Sequence, residues 1–343
     1  MVLIYLCDLG VSAVKNILWR HSSMKYKVVI LDDRYPHYNE ETEVLKSLGI
    51  TPMPDKSAKP DEIIRACADA DGLIVNLPPI DANVIKTLNR CKIISRYGVG
   101  YDNVAVKEAT ANGIWVANVP DYCGEDVSDQ AFSLLMSCVR KVALRDRQVK
   151  SGIWKTQADG PQWRIKGKTF VFFGFGQIAR ILHRKLSGFQ PGRVLVFDPF
   201  LAEPAVRAAD AEKVDFETAL REGDYFSIHM PLNDKTRGMF NKEVFKKMKK
   251  TAIIINTSRG PIIDERALYK ALSERWINSA GLDVFETEPV QPDNPLLKLD
   301  NITVSGHAGW YTEEAQSELK RKAAENVRDV LSGGKPKYAV NMI

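Results

Sequence analysis

The feature that most constrains the fold is a glycine-rich segment, GFGQIA, which follows an apolar run and precedes a helical pattern. In this pattern Gly174 makes a tight turn, Gly176 lets the backbone approach a pyrophosphate, and the small Ala179 lets helix pack on strand. The first N–H groups of the helix, at Gln177 and Ile178, then face the phosphates with the positive end of the helix dipole. The sequence therefore predicts a strand–turn–helix unit that binds a dinucleotide.

A carboxylate at the end of the next strand indicates which dinucleotide is bound. Asp198 ends the run RVLVFD. In dinucleotide-binding folds an acidic residue lies about 20 residues after the glycine segment, and Asp198 occupies a comparable position. A carboxylate there can accept hydrogen bonds from the ribose hydroxyls and would repel a 2′-phosphate. Pro199 and Phe200 follow, with no arginine to receive that phosphate. The sequence therefore favours NAD over NADP as the cofactor.

Apolar runs alternate with helical patterns through most of the chain, which predicts an α/β fold with parallel sheets. One long helix is expected over 125–150. A last helix is expected over 312–331, ending in a left-handed cap at Gly333-Gly334. The strands are expected at 28–31, 72–75, 92–96, 114–118, 168–174, 193–198, 225–230, 252–257, 279–285 and 301–306.

Length and composition exclude several other classes of protein. The 343 residues suit two domains, and a net charge of +5 without a basic block gives no support to nucleic-acid binding. The apolar start, MVLIYLCDLG, is expected to be a strand and not a signal peptide, and no run is long enough to span a membrane. The five scattered cysteines form no CxxC pair, so we expect no disulfide, no metal site and a cytoplasmic location.

Three later strands each lead into a residue suited to the same chemistry. Arg259 follows the strand at 252–257, Glu288 follows the strand at 279–285, and His307 follows the strand at 301–306. Ligands of open parallel sheets bind beyond the carboxyl ends of the strands, so these three side chains can converge on a nicotinamide.

Each of the three has a physical role in hydride transfer at a 2-keto acid. Arg259 presents a planar, permanently charged fork that matches a carboxylate and a neighbouring carbonyl oxygen. His307 can give a proton to the carbonyl oxygen during reduction and take it back during oxidation. Glu288 can hold the imidazole and stabilise its protonated form. Singly, each could be structural; together, downstream of a dinucleotide motif, they predict an oxidoreductase.

The ordered motifs of this chain resemble those of the D-isomer-specific 2-hydroxyacid dehydrogenase family. The resemblance extends from about Gly72 to the end of the sequence. Within the family it is closest to the branch of C-terminal-binding-protein-like and phosphoglycerate-dehydrogenase-like members. The matching blocks are RYGVGYDNV, GFGQIA, HMPL, NTSRG, DVFETEP and HAGW.

This resemblance implies two Rossmann-like domains: an NAD-binding Rossmann domain over 123–309 and a flavodoxin-like substrate domain over 1–122 and 310–343. It further implies a homodimer, an active site in the cleft between the domains, and Arg259, Glu288 and His307 as the catalytic set. The implied NAD contacts, besides the glycine segment and Asp198, are His229, Met230, Pro231, Thr236, Thr257, Ser258 and Asp283. The implied substrate contacts are Arg96, Val99, Gly100 and Trp310, with the backbone of Val99 and Gly100 holding the carboxylate.

Two alternatives to a dehydrogenase of small 2-keto acids stay open at this stage. One is an NAD(H)-sensing, corepressor-like binding protein, since transcriptional relatives keep the same three residues. The other is phosphoglycerate dehydrogenase proper. Relatives specific for phosphoglycerate carry an arginine where this chain has the segment beginning at Asn76, and an aromatic Trp310 would suit a substrate with an apolar tail. His229 is expected to line the adenine side of the cofactor or to be structural.

Overall fold

The computed structural model describes residues 26–32, 34–157 and 160–343. Its strands are β1 Val28–Leu31, β2 Met53–Asp55, β3 Gly72–Val75, β4 Ile93–Arg96, β5 Trp115–Ala117, β6 Thr169–Phe173, β7 Arg193–Phe197, β8 Glu212–Lys213, β9 Tyr225–Ile228, β10 Ile253–Asn256, β11 Ser279–Leu282 and β12 Ile302–Val304. Its α-helices are α1 Asn39–Leu45, α2 Pro60–Cys67, α3 Ala82–Thr87, α4 Val106–Ala111, α5 Gly124–Arg140, α6 Val142–Lys150, α7 Gln177–Leu186, α8 Glu203–Arg207, α9 Phe216–Glu222, α10 Lys242–Lys247, α11 Glu265–Ser273 and α12 Glu313–Leu331.

The described chain divides into two compact units, the first of which contains a five-stranded sheet. This unit comprises the described residues up to Tyr97, then Asn103–Asn118 and Lys320–Ile343. Its strands lie in the order β2-β1-β3-β4-β5, and every pairing is parallel. This is the 2-1-3-4-5 order of flavodoxin-like folds.

The second unit, Gly98–Asp102 with Val119–Leu319, contains a seven-stranded sheet. Its order is β12-β11-β10-β9-β6-β7-β8, again with every pairing parallel. Counted from β6, this is the Rossmann order 3-2-1-4-5-6 with one strand added at the β11 edge. The predicted fold class is therefore confirmed. The predicted domain bounds and the roles of the two domains stay predictions.

Alternation along the strands explains how the seven-stranded sheet is buried on both faces. In β6, Val171 and Phe173 pack into one apolar core with Leu268 and Leu282, whereas Phe172 packs into the other with helix α5. Because both faces are covered, the strands read as continuous apolar runs, as parallel strands in α/β proteins do. This burial fixes the carboxyl edge of the sheet, from which the site residues project.

Two expectations about secondary structure need correction. The single helix predicted over 125–150 is two helices, because Lys141 adopts a left-handed conformation (φ 54°) and ends α5. Strands β2 and β8 were not expected, since they are short and their residues lie at the sheet edges with little burial. The left-handed cap after the last helix is confirmed at Gly333, with φ 90°. The strand predicted for the first ten residues lies outside the described part of the chain.

Two further observations concern the described residues only. No helix among them is long and apolar enough to cross a membrane. Cys67, Cys91 and Cys138 are free and buried there. Burial raises the pKa of the Cys67, Cys91 and Cys138 thiols to about 12, which keeps them protonated and unreactive.

Candidate active site

The glycine segment forms the turn between β6 and α7 that its sequence predicts. Gly174 has φ 83°, and a Cβ atom there would lie 2.9 Å from the carbonyl oxygen of His229. A side chain is therefore excluded by backbone conformation and by contact together. Ala179 is fully buried where α7 packs on the sheet, as its small size allows.

Gly176 has a different environment from Gly174. It precedes the first residue of α7, and a Cβ there would meet no described atom within 4 Å. No described side chain caps this helix, so the N–H groups of Gln177 and Ile178 have no capping partner among the described residues. Open space in front of uncapped helix N–H groups matches the needs of a phosphate group.

Asp198 is held against the glycine turn by backbone hydrogen bonds. Its Oδ2 accepts from Phe175 N at 3.0 Å, and its Oδ1 accepts from the N–H groups of Phe200 and Leu201 at 2.9 and 3.2 Å. A carboxylate offers about four acceptor directions, so Oδ2 keeps one for a ribose hydroxyl. Asp198 also lines a surface pocket with Lys213 and Asp215. Its role in ribose recognition stays a prediction.

The segment after β9 passes beside the glycine turn. The backbone carbonyl of His229 lies against Gly174. The side-chain Nε2 of His229 lies 2.8 Å from Ser227 Oγ. Burial lowers the pKa of His229 to about 4, so its ring is neutral at physiological pH. Met230 is buried, and Thr236 Oγ1 donates to the carbonyl of Pro231 at 2.7 Å, which fixes the loop. Roles of these residues in cofactor binding stay predictions.

The turn after β10 carries an unsatisfied polar atom. Thr257 Oγ1 is buried and has no hydrogen-bond partner among the described residues. Such an atom needs an explanation, and a bound ligand is one. Ser258, by contrast, is tied down, because its backbone N and its Oγ both donate to Asn256 Oδ1, at 3.0 and 2.8 Å. The Asn256 amide also donates to the Arg259 carbonyl at 2.9 Å, so this buried residue shapes the whole turn.

Arg259 lies against the segment Gly98–Asp102. Its Nε donates to Asp102 Oδ1 at 3.1 Å, and one terminal nitrogen donates to the Ser258 carbonyl at 2.8 Å. A Cβ atom on Gly100 would lie only 1.6 Å from the other terminal nitrogen, Nη2. The guanidinium therefore occupies the space that a side chain at Gly100 would fill. Val99, which precedes Gly100, is exposed.

His307 and Glu288 form a direct pair. His307 Nδ1 lies 2.6 Å from Glu288 Oε2, and Glu288 Oε1 accepts from Phe285 N at 3.1 Å. Both side chains are about one third exposed. The backbone of His307 is left-handed, with φ 54°, which is uncommon for a residue with a side chain and typical of functional positions.

The charge state of Glu288 follows from this environment. Burial alone would raise the pKa of its carboxyl, but the hydrogen bond and charge of His307, the Phe285 N–H and the charge of Arg259 together lower the pKa below its usual value. Glu288 is therefore an anion throughout the range in which histidines titrate. The influence of Arg259 on this carboxyl also indicates that the three predicted catalytic residues share one electrostatic environment.

Asp283 anchors the loop that carries His307. Its carboxylate accepts from Ser305 Oγ at 2.6 Å and from the N–H groups of Ala308 and Gly309 at 3.0 and 2.9 Å. Its carbonyl accepts from His307 N at 2.6 Å. The structure thus gives this buried residue a supporting position beneath the histidine. Its predicted contact with the nicotinamide stays a prediction.

Two predicted substrate residues lie in different units. Trp310 is half-buried in the second unit, and its ring packs edge-on against Tyr311 at 5.6 Å. Arg96 ends β4 in the first unit, where its guanidinium donates to the Tyr97 carbonyl. Their roles in substrate binding stay predictions.

The second unit brings together most of the predicted site. Strands β10, β11 and β12 are neighbours and parallel, so the residues that follow them meet at one edge of the sheet. The open space at Gly176, the uncapped helix and the unsatisfied Thr257 hydroxyl fit a bound dinucleotide. Two residues that sequence reasoning missed support the arrangement, namely Asp102 and Asn256. Asp102 lies in the motif block RYGVGYDNV, and Asn256 lies in the block NTSRG. Membership of these blocks is the one sequence signal that could have identified them as site residues.

Comparison with known proteins indicates the family to which this chain belongs. Residues 132–309 match the family model described as D-isomer specific 2-hydroxyacid dehydrogenase, NAD binding domain. A glyoxylate reductase of Korarchaeum cryptofilum (strain OPF8) is 42% identical over 284 residues, which cover 81% of this chain and 85% of that protein. A glyoxylate reductase of Thermococcus litoralis is 39% identical over 271 residues, which cover 76% of this chain and 80% of the relative.

A solved structure of a glyoxylate reductase is also similar to this chain. The crystal structure of a glyoxylate reductase from Paecilomyes thermophila is similar with a TM-score of 0.84 at 28% identity, covering 92% of this chain and 99% of that one. The predicted reaction class and cofactor are confirmed by these similarities together with the family model. The chain therefore belongs to the D-isomer-specific 2-hydroxyacid dehydrogenase family, as an NAD-dependent oxidoreductase that interconverts 2-keto acids and D-2-hydroxy acids.

Proposed function

We propose that this chain is an NADH-dependent reductase whose preferred substrate is glyoxylate. The observation that carries the proposal is the 2.6 Å contact between His307 Nδ1 and Glu288 Oε2. The charge of Arg259 also helps to lower the pKa of the Glu288 carboxyl. This set supplies a proton donor, its stabilising anion and a cation for a carboxylate. The identity of the relatives named above supports glyoxylate as the keto acid.

The proposed roles follow from which atoms are already engaged. NADH, when bound, supplies the hydride that adds to C2 of the keto acid. His307 Nδ1 is committed to Glu288, so Nε2 is the ring nitrogen that gives its proton to the carbonyl oxygen. The anionic Glu288 stabilises the imidazolium of His307 before the proton is transferred. After the transfer, His307 is a neutral imidazole and the product carries a hydroxyl group at C2.

Arg259 is proposed to bind the substrate carboxylate. Its Nε and one terminal nitrogen are used by Asp102 and Ser258, whereas Nη2 makes no hydrogen bond to any described residue. The N–H groups of Nη2, beside the backbone of Gly100, therefore remain for the substrate. A guanidinium gives a carboxylate charge-assisted hydrogen bonds with fixed direction, which lysine cannot do.

A panel of keto acids tests this proposal. NADH oxidation is followed with glyoxylate, hydroxypyruvate, pyruvate and a branched 2-keto acid, and each reaction is repeated with NADPH. We expect the highest kcat/KM with glyoxylate and NADH, and a clear preference for NADH in every case. A higher kcat/KM with any of the other three acids would refute glyoxylate as the preferred substrate. NADH binding without turnover of any acid would instead favour an NAD(H)-sensing protein.

A homodimer and a cytoplasmic location belong to the same proposal. Exposed apolar side chains cluster along α6 and just after it: Trp154 is 81% exposed, and Val142 and Val149 are 56% and 51% exposed. Clustered apolar exposure is typical of interaction surfaces, which supports a second copy as its partner. Light scattering on the purified protein measures the assembly. The buried free cysteines support a reducing compartment.

A further inference from the structure

The side chain of Arg259 is fixed at more than one point. It is only 23% exposed, and Asp102, which is 46% exposed, accepts its Nε–H at 3.1 Å. The Ser258 carbonyl accepts from Nη1 at 2.8 Å. A planar guanidinium held at Nε and Nη1 cannot rotate about its long axis, so the direction of the Nη2 hydrogens is set by these two contacts.

The two contacts differ in what they restrain. Ser258 is the preceding residue, so its carbonyl moves with the turn that carries Arg259. Asp102 comes from a segment 157 positions away in sequence, and therefore relates the guanidinium to the Gly98–Asp102 backbone. That backbone is where the substrate carboxylate is expected. The contact of Asp102 with Arg259 is thus the one that places the cation against the carboxylate subsite.

We propose that Asp102 is a positioning residue for the reaction, which orients Arg259 by accepting the Nε–H. The inference rests on the proposed role of Arg259 as carboxylate ligand. Asp102 itself does not touch the substrate; it acts through the arginine. Its contribution lies in the place of its acceptor oxygen, because a partly exposed ion pair by itself contributes little to stability.

Three variants separate position from charge. Asp102→Asn keeps an acceptor oxygen of the same shape without the charge, Asp102→Ala removes the acceptor, and Asp102→Ser is a second truncation should the alanine variant unfold. The control is Asp300→Ala, which breaks an exposed ion pair of the same unit, that of Arg147 with Asp300 at 3.4 Å. Steady-state kinetics with glyoxylate, NADH binding by fluorescence titration and thermal midpoints are measured for all four variants, for Arg259→Lys, and for Arg259→Lys combined with Asp102→Ala.

We expect Asp102→Ala and Asp102→Ser to lower kcat/KM at least tenfold, chiefly through KM for glyoxylate. The dissociation constant of NADH should stay within twofold of that of the wild type. Asp102→Asn should retain at least a third of wild-type kcat/KM, and Asp300→Ala should match the wild type. In an Arg259→Lys background, Asp102→Ala should add less than a twofold further loss, since lysine has no Nε–H to orient.

The possible results distinguish the two proposals. Wild-type kinetics in the truncated variants, with Arg259→Lys impaired, would overturn the role of Asp102 alone. Wild-type kinetics in Arg259→Lys as well would overturn the carboxylate site itself. An equal loss in Asp102→Asn and Asp102→Ala would show that charge matters and acceptor position does not, and would overturn the inference. Parallel losses of NADH and glyoxylate affinity would indicate a structural role and also overturn the inference.

Discussion

Replacing Gly100 by alanine tests the geometry of the carboxylate subsite most directly. The added Cβ would lie 1.6 Å from Arg259 Nη2, 2.7 Å from its Cζ and 3.0 Å from Asp102 Oδ1. Ordinary contact between such atoms needs about 3.5 Å, so the guanidinium must retreat by about 2 Å. Because it is the end of a long side chain, it can do so without disturbing the backbone.

The size of the effect follows from that displacement. A misplacement of about 1 Å at a reacting group can cost about 10²-fold in rate. We therefore expect Gly100→Ala to lose at least about 10²-fold in kcat/KM for the keto acid, equivalent to about 2.7 kcal/mol of transition-state stabilisation. The free energy of unfolding should change little, because the backbone of Gly100 is not left-handed and suits other residues.

The assay is steady-state reduction of glyoxylate by NADH, with thermal unfolding and NADH titration on the same samples. Gly188→Ala is the matched control, since its Cβ would meet nothing within 4 Å and its backbone is also not left-handed. The control should behave as wild type in all three measurements. A Gly100→Ala enzyme with kcat/KM within threefold of wild type would refute the placement of Arg259 against this backbone.

The remaining predictions concern the cofactor, the proton and acid stability. Asp198→Ala should narrow the preference for NADH over NADPH, by weakening NADH binding and relieving repulsion of the 2′-phosphate; unchanged dissociation constants for both would contradict this. Reduction requires a protonated His307, so kcat/KM should fall as pH rises. Glu288→Gln should lower kcat/KM for reduction, because the anion that stabilises the imidazolium is lost. His307→Ala should cost about 10²–10⁴-fold and abolish this pH dependence, and a fall that persisted would point to another donor. Because burial lowers the pKa of His229 to about 4, below the value of about 6.5 in the unfolded chain, the unfolded state gains a proton first and stability is lost as pH drops from 6.5 to 4. His229→Asn should flatten the unfolding free energy over this pH range, measured by urea titration, and an unchanged slope would assign the loss to other groups.

Most strands were predictable because their positions follow from local patterns. Strands β6 and β10 are buried on both faces and read as apolar runs, and the glycine that follows β6 and the asparagine that ends β10 mark the carboxyl edge. The break at Lys141 was not predictable, since nothing in its residue type favours a left-handed conformation. Strand β8 was not predicted either, because its two residues are exposed and charged and therefore give no apolar pattern.

The sequence indicates which residues are candidates for the site, but not which contacts they make. Arg259, Glu288 and His307 could be chosen because each follows a strand. Asp102 could not be paired with Arg259, because its acceptor oxygen and the guanidinium come from segments that only the folded chain brings together. The supporting position of Asp283 was missed likewise, since its hydrogen bonds to the histidine loop depend on how β11 and β12 align.

The left-handed backbone at His307 has an evolutionary consequence. Among residues with side chains, asparagine and aspartate adopt this conformation most readily, and glycine adopts it without cost. A single change of His307 to asparagine would therefore remove the proton donor. The backbone would keep its left-handed conformation, because its hydrogen bonds to Asp283 are unchanged. We expect such a chain to fold and bind NAD, but to lose most of its reductase activity. Descendants of this protein can thus become nicotinamide-responsive pseudoenzymes in one step, without passing through an unstable intermediate.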